Sequence, residues 1–272
     1  MQKEFSTFWR SPKHSGIELF HAHFRSFAFN KHWHDELAIG IIQAGAEKLD
    51  YRGQTNIIPQ GDIVAINPSE IHTGYTGSEQ GWHYRMFYFD TKLVEQVLRQ
   101  HSSFGKTPMP FLKGPIIHDP ELFQLLFQLH CSLSGTYLSL TSDSLLTLAL
   151  TKLFTNHSDQ NINPRSQKDK SAARKIYNYL CDHWQYNVTL EQLCQLTEMS
   201  QYQLIRCFSK HYGIAPHQFL VLYKTHQARL LLQQGLNAAT AATDCGFFDQ
   251  SHMSRNFKKT FGITPGRYLK SI

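Results

Sequence analysis

Between residues 17 and 90 the chain alternates apolar and polar side chains in short runs broken by turn residues. The runs are IELFHAHF (17–24), LAIGIIQ (37–43), AEKLDYR (46–52), DIVAIN (62–67) and WHYRMFYF (82–89). The breaks are Ala44-Gly45, Gly53, Pro59-Gln60-Gly61 and Pro68-Ser69. Short β-branched and aromatic runs at this spacing predict a compact antiparallel sandwich or barrel. After Asp90 the period turns helical, with helices expected over 92–101, 120–133 and 139–156 and a Pro/Gly-rich stretch over 105–115. The last of these helices carries Leu145, Leu146, Leu148, Leu150 and Leu153, more than one core-facing stripe takes up. Two readings stand: the surplus face meets a second subunit, or the helix is buried within its own domain.

Residues 157–170, HSDQNINPRSQKDK, are polar apart from Ile162 and contain Asn-Pro, the composition of a linker. The expected organisation is therefore a β-rich domain with helices over 1–156, a linker over 157–170 and an all-helical domain over 171–272. The fold class is α+β multidomain.

The helical part repeats itself at an offset of 49 residues. SKHYGIAPHQFL (209–220) lies over KKTFGITPGRYL (258–269), and Leu204, Arg206 and Phe208 fall on Met253, Arg255 and Phe257. Each copy reads as helix, tight turn, helix. Thr189 with Gln192 and Ser200 with Gln203 are capping-box patterns. Asn237 and Asp249 suit N-caps, while Gly246 suits a left-handed helix end. Short helices joined so tightly must cross steeply, which is helix-turn-helix geometry.

At 100° per residue the second helix of the first copy turns Leu204, Cys207, Phe208 and His211 inward and Tyr202, Ile205, Arg206 and Ser209 outward. In the second copy Met253, Asn256, Phe257 and Thr260 face in, and Ser251, Ser254, Arg255 and Lys258 face out. A guanidinium binds guanine bidentately or grips phosphate, small hydroxyls permit close groove approach, and Ile205 suits a thymine methyl. Taken singly, either face reads as an ordinary solvated surface; two in register point to duplex DNA. A helix from Pro216 to Gln234 separates the copies and spans about 27 Å, near the roughly 34 Å between successive major grooves on one DNA face.

Charge agrees: the net +6 divides into −2 over residues 1–164 and +8 over 165–272, which places the phosphate-binding potential in the helical domain. The five cysteines, Cys131, Cys181, Cys194, Cys207 and Cys245, include no C-x-x-C pair, so neither a disulfide framework nor a zinc module is expected. No run of eighteen apolar residues exists and the first ten residues lack an apolar h-region, so the expected location is the cytoplasm, away from the membrane.

Over residues 171–270 the chain resembles the AraC/XylS family of transcription regulators, through SQYQLIRCFSKHYGIAPHQFL (200–220) and GFFDQSHMSRNFKKTFGITPGRY (246–268). The resemblance implies DNA contacts at Gln201, Tyr202, Ile205 and Arg206 in the first copy. In the second it implies Gln250, Ser251, His252, Ser254 and Arg255. Residues 32–75 and 81–90 resemble the family's cupin-like sensor barrel, which implies a small-molecule effector. The helices after the barrel then imply a homodimer contact at Leu145 to Leu153, and RNA polymerase is a further partner the family implies.

Within the barrel, His32, His34, Glu36 and His72 resemble the ligand set of metal-binding cupins, and two histidines with a carboxylate suit zinc, iron or manganese. The reading preferred on sequence is a polar and aromatic pocket for a metabolite, with no cofactor and no metal, formed by His32, His34, Glu36 and His72 with Trp82, Tyr84 and Met86, the last three sharing one strand face with Tyr88. Simple filling of the barrel by those side chains is the plainer alternative. Arabinose-sensing relatives carry an arginine beside the glycine where Ala44-Gly45 stands, and its absence argues against that sugar. The competing functional class is a metal-dependent cupin enzyme fused to a DNA-binding tail; the expectation adopted is a regulator without enzymatic activity.

Overall fold

The computed structural model describes residues 4–12, 14–99, 109–134, 139–159, 168–186 and 188–271. The chain divides into two compact units. The first contains β1 (Phe5–Arg10), β2 (Ile17–Phe24), β3 (Leu37–Tyr51), β4 (Gln54–Pro59), β5 (Ile63–Ile66), β6 (Tyr75–Thr76), β7 (Trp82–Phe89), α1 (Thr91–Arg99), β8 (Phe111–Leu112), β9 (Ile116–Ile117), α2 (Pro120–Ser134), α3 (Ser139–His157) and β10 (Ser158–Asp159).

The main sheet runs in the order β1-β2-β7-β3-β5-β9, with β4 and β6 added to β3. All its ladders are antiparallel. The long strand β3 is the organising element. Its first half pairs with β5 and β7, and its second half with β4. The register against β7 shifts between Ile42 and Ala44, and such a bulge bends a strand. Gly45 sits at φ 72°, and a Cβ there would lie 1.9 Å from the Gly81 carbonyl oxygen, so the bend admits only glycine. The expected barrel is thus realised as an antiparallel sheet whose described strands follow an open path, folded through β3.

One face of this sheet, with Leu19, Ile39, Ile41, Phe87 and Phe89, packs under α1, α2 and α3. Here the leucine-rich helix departs from one of its two sequence readings. Leu146, Leu150 and Leu153 are 3%, 0% and 0% exposed in this core, and Leu145 packs against it from the side. Helices α1 and α2 pack against α3, and these leucines share one core with the sheet, so they are spent within their own chain. Of the five leucines from Leu145 to Leu153, only Leu148, 55% exposed, faces outward.

The second unit holds α4 (Lys168–Asp182), α5 (Leu190–Thr197), α6 (Gln201–Tyr212), α7 (Pro216–Gln233), α8 (Ala238–Asp244), α9 (Gln250–Phe261) and α10 (Pro265–Leu269). The linker expected over 157–170 is narrower at both ends, because His157 closes α3, Ser158 and Asp159 pair with β8, and Lys168 opens α4; residues 160–167 lie outside the described residues. The local signals in the repeat are realised. Capping boxes form at Thr189–Gln192 and Ser200–Gln203, Asn237 and Asp249 accept from the backbone at their helix starts, and Pro216 occupies the first turn of α7. Helices α6 and α9 both end on left-handed glycines, Gly213 at φ 72° and Gly262 at φ 73°.

Candidate nucleic-acid interface and sensor site

Each helix-turn-helix unit presents its second helix with the inner face anchored. In α6, Leu204 and Phe208 are fully buried; in α9, Met253 and Phe257 are. Phe208 packs on Tyr212 and Phe219, and Phe257 on Phe261 and Tyr268. The two helices are thereby fixed in equivalent ways by aromatic residues from equivalent positions. Outward, Gln201, Tyr202 and Arg206 are exposed on α6 and Ile205 is half-buried. On α9, Gln250, Ser251 and Arg255 are exposed, with His252 and Ser254 half-buried. His211, read from the helical wheel as an inner residue, is exposed instead: it lies in the last turn, where Phe208 and Tyr212 already close the core.

Helix α7 joins these units and touches α4, α6, α8, α9 and α10. Its eighteen residues span about 27 Å. Phe248, directly before the Asp249 cap and not singled out from sequence, is 92% exposed.

In the first unit the inner side of the sheet collects Trp82, Tyr84 and Met86, as their alternation along β7 predicted, and all three are buried. Trp82 stacks on Tyr84 at 4.1 Å and 6°. Phe24 packs on Trp82, and Phe20 on Tyr84. A Cβ at Gly40 would lie 2.9 Å from Met86 Sδ. These side chains fill the interior of the sheet. A cavity of about 280 Å³ opens elsewhere in the unit, beside His23, Arg25, Gly45 and His83.

Glu47 is the residue of this interior that sequence reading passed over. It alternates with buried Leu49 and Tyr51 on β3, is 2% exposed, and its Oε2 has no hydrogen-bond partner. Burial pushes its carboxyl well above the usual range, and its proximity contributes to raising Tyr84. Strand parity was the available signal: a carboxylate two residues before a leucine and four before a tyrosine shares their face.

His32 and His34 occupy the loop entering β3 rather than a strand. Both are buried, as is His72; His32 belongs to the second compact unit, while the rings of His34 and His72 meet edge to face at 4.8 Å in the first. The Glu36 carboxylate, expected with them, does not join these histidines. Glu36 contributes its main-chain carbonyl, which accepts from His34 Nδ1 at 3.0 Å.

A β-sheet unit with a buried polar and aromatic interior, joined to duplicated helix-turn-helix units, defines a DNA-binding transcription regulator with a ligand-binding domain. The chain belongs to the AraC/XylS family. Residues 14–150 match the AraC-like ligand binding domain, and residues 193–271 match a helix-turn-helix domain. It is 30% identical to the uncharacterized HTH-type transcriptional regulator YbfI of Bacillus subtilis (strain 168), over 93% of this chain and 91% of that protein. Identity to the arabinose operon regulatory protein of Escherichia coli (strain K12) is 26%, over 80% of this chain and 74% of that protein. In fold it is similar to unsaturated fatty acid bound ToxT of Vibrio cholerae strain SCE256, with a TM-score of 0.56 at 16% identity, covering 100% of this chain and 98% of that one. Among the described residues no helix is long and apolar enough to cross a membrane.

Proposed function

We propose that this regulator reads a promoter site through α6 and α9, each entering a major groove, and that an organic effector taken up by the N-terminal domain changes that binding. The observation that carries the DNA reading is the pairing of Arg206 with Arg255, exposed at equivalent positions on two helices anchored in equivalent ways. Gln201, Tyr202 and Ile205 on α6, with Gln250, Ser251, His252 and Ser254 on α9, supply the remaining base and backbone contacts. For the effector, the interior aromatics Trp82, Tyr84 and Met86 provide apolar surface, and the buried carboxyl of Glu47 provides a polar anchor. Because those side chains are already packed, effector uptake repacks them, which is how binding is transmitted. The protein works in the cytoplasm as a homodimer with Leu148 at its contact, contacts RNA polymerase at the promoter, and catalyses no reaction.

The test is the affinity of the full-length protein for DNA upstream of its own gene, read by fluorescence anisotropy at fixed salt. Arg206→Ala and Arg255→Ala should each weaken specific binding by about 1–3 kcal/mol with unchanged circular dichroism. Equal affinity of both variants and the parent would refute the assignment of these helices.

A further inference from the structure

We propose that a cavity at the end of the helix-covered face of the sheet binds a small hydroxylated anion, a sugar acid or a sugar phosphate. Along β2, His21 and His23 follow Leu19 by strand parity, and along β7 His83 and Arg85 precede Phe87. Leu19 and Phe87 lie in the core under the helices, so these polar side chains continue that face, opposite to Trp82, Tyr84 and Met86. His23 stands across from His83 in the β2–β7 ladder, and His83 across from Ala44 in the β3–β7 ladder. Three neighbouring strands thus line the cavity of about 280 Å³, which Arg25 and Gln80 line as well.

Two polar groups of this lining have no protein partner among the described residues. His23 is 5% exposed; its Nε2 donates to the Gln80 carbonyl at 3.3 Å, and its Nδ1 is buried without a hydrogen bond. A carbonyl only accepts, so the neutral ring keeps its lone pair on Nδ1, where it can accept from a ligand hydroxyl. A buried polar atom left unpaired is destabilising, and a ligand that pairs it offsets that penalty. The second group is the half-buried guanidinium of Arg25, which makes no hydrogen bond or ion pair among the described residues.

The charge balance selects an anion. Among the described residues no carboxylate lines the cavity. Glu4 is occupied beside it, accepting from the main-chain amides of Arg25 and Ser26 at 2.6 Å each. Burial, with His23 and Arg85 nearby, lowers the His83 imidazole, as an uncompensated positive field does. A guanidinium matches carboxylate and phosphate alike. The volume falls just below the roughly 300–1,000 Å³ of pockets for drug-sized ligands, so the ligand is small. The wall is fixed by glycine: Gly81 takes φ 85°, and a Cβ there would lie 2.3 Å from the Phe24 carbonyl oxygen and 2.9 Å from Arg25 Cγ. This site uses none of the interior aromatics, so its failure would leave both the DNA reading and the interior effector reading standing.

The experiment titrates the full-length protein calorimetrically with gluconate, glucose-6-phosphate, glucose and adipate. The parent is compared with Arg25→Gln, Ala44→Glu and the surface control Lys113→Gln. Gluconate or glucose-6-phosphate should bind the parent at about one site per chain, and the tighter of the two identifies the anionic group. Glucose lacks the charge and adipate the hydroxyls, so each should bind at least about tenfold more weakly. Arg25→Gln removes the cation, and Ala44→Glu, at an exposed position, sets a like charge beside the anion. Both should weaken binding at least about tenfold, while Lys113→Gln should match the parent. The site is overturned by any of three results: no binding of either hydroxylated anion to the parent up to about 10 mM, glucose or adipate binding as tightly as they do, or either cavity variant retaining parental affinity. Should Arg25→Gln fail to fold, Ala44→Glu alone decides.

Discussion

Lys224 of α7 donates from Nζ to the main-chain carbonyl of Gly246, at 3.2 Å, in the turn between α8 and α9. The lysine is 8% exposed, and burial lowers the pKa of its ammonium. Gly246 takes φ 63°, and a Cβ there would meet that ammonium at 3.0 Å. A buried cation thus holds the turn of the second helix-turn-helix unit against the helix that separates the two copies.

Lys224→Met keeps most of the apolar stem and removes the charged donor to the Gly246 carbonyl. The expected loss is about 1–3 kcal/mol of stability, measured by chemical denaturation, together with weaker promoter binding because the turn before α9 loses its anchor. Unchanged stability would show that this hydrogen bond does not hold the turn.

Acid should destabilise the first unit through a histidine cluster on the helix-covered side of its sheet. His130 is fully buried; Arg85 donates to its Nδ1 at 3.1 Å and its Nε2 donates to the Phe20 carbonyl at 3.3 Å. Burial, reinforced by Arg85, lowers it to about 3. His21 is lowered to about 4 by burial and the same arginine, and it meets His83 at 2.7 Å. Above the ordinary value of 6.5 both states leave these rings neutral and stability is unaffected. Below it the unfolded chain takes up protons that the folded one refuses, so stability falls from pH 6.5 down towards 4 and then 3. Thermal midpoints measured across this range should show that slope, and His130→Gln should flatten it; a slope identical in that variant would remove His130 from the account.

The leucines of α3 divide into those buried at home and one left outside. Leu150→Ala should cost about 2–5 kcal/mol by opening a cavity in a packed core. Leu148→Glu should leave monomer stability within about 0.5 kcal/mol but move the protein toward monomer in sedimentation equilibrium. An oligomeric state indifferent to Leu148→Glu would place the subunit contact elsewhere.

The helical domain was readable because its determinants are local. A cap needs only a side chain and an amide three residues on, as at Ser200 and Gln203, and a left-handed helix end needs only a glycine, as at Gly213 and Gly262. The alternation that placed Trp82, Tyr84 and Met86 on one face of β7 is local in the same sense. What pattern did not carry was long-range partnership. The apolar surplus of α3 looked like an external face because nothing in its own sequence shows that α1 and α2 pack against it. Glu36 was counted for its carboxylate, whereas the fold uses its carbonyl. Glu47 was passed over because its meaning depends on burial beside Tyr84, a residue from another strand.

The most direct measurement is a hydroxyl-radical and methylation-interference footprint of the full-length protein on its promoter, comparing the parent with Arg206→Ala and Arg255→Ala. Contacts in two major grooves about one helical turn apart on one DNA face are predicted, with each variant losing interference in a different groove. Loss in the same groove for both variants, or a footprint unchanged by either, would contradict a single chain reading DNA with two equivalent helices.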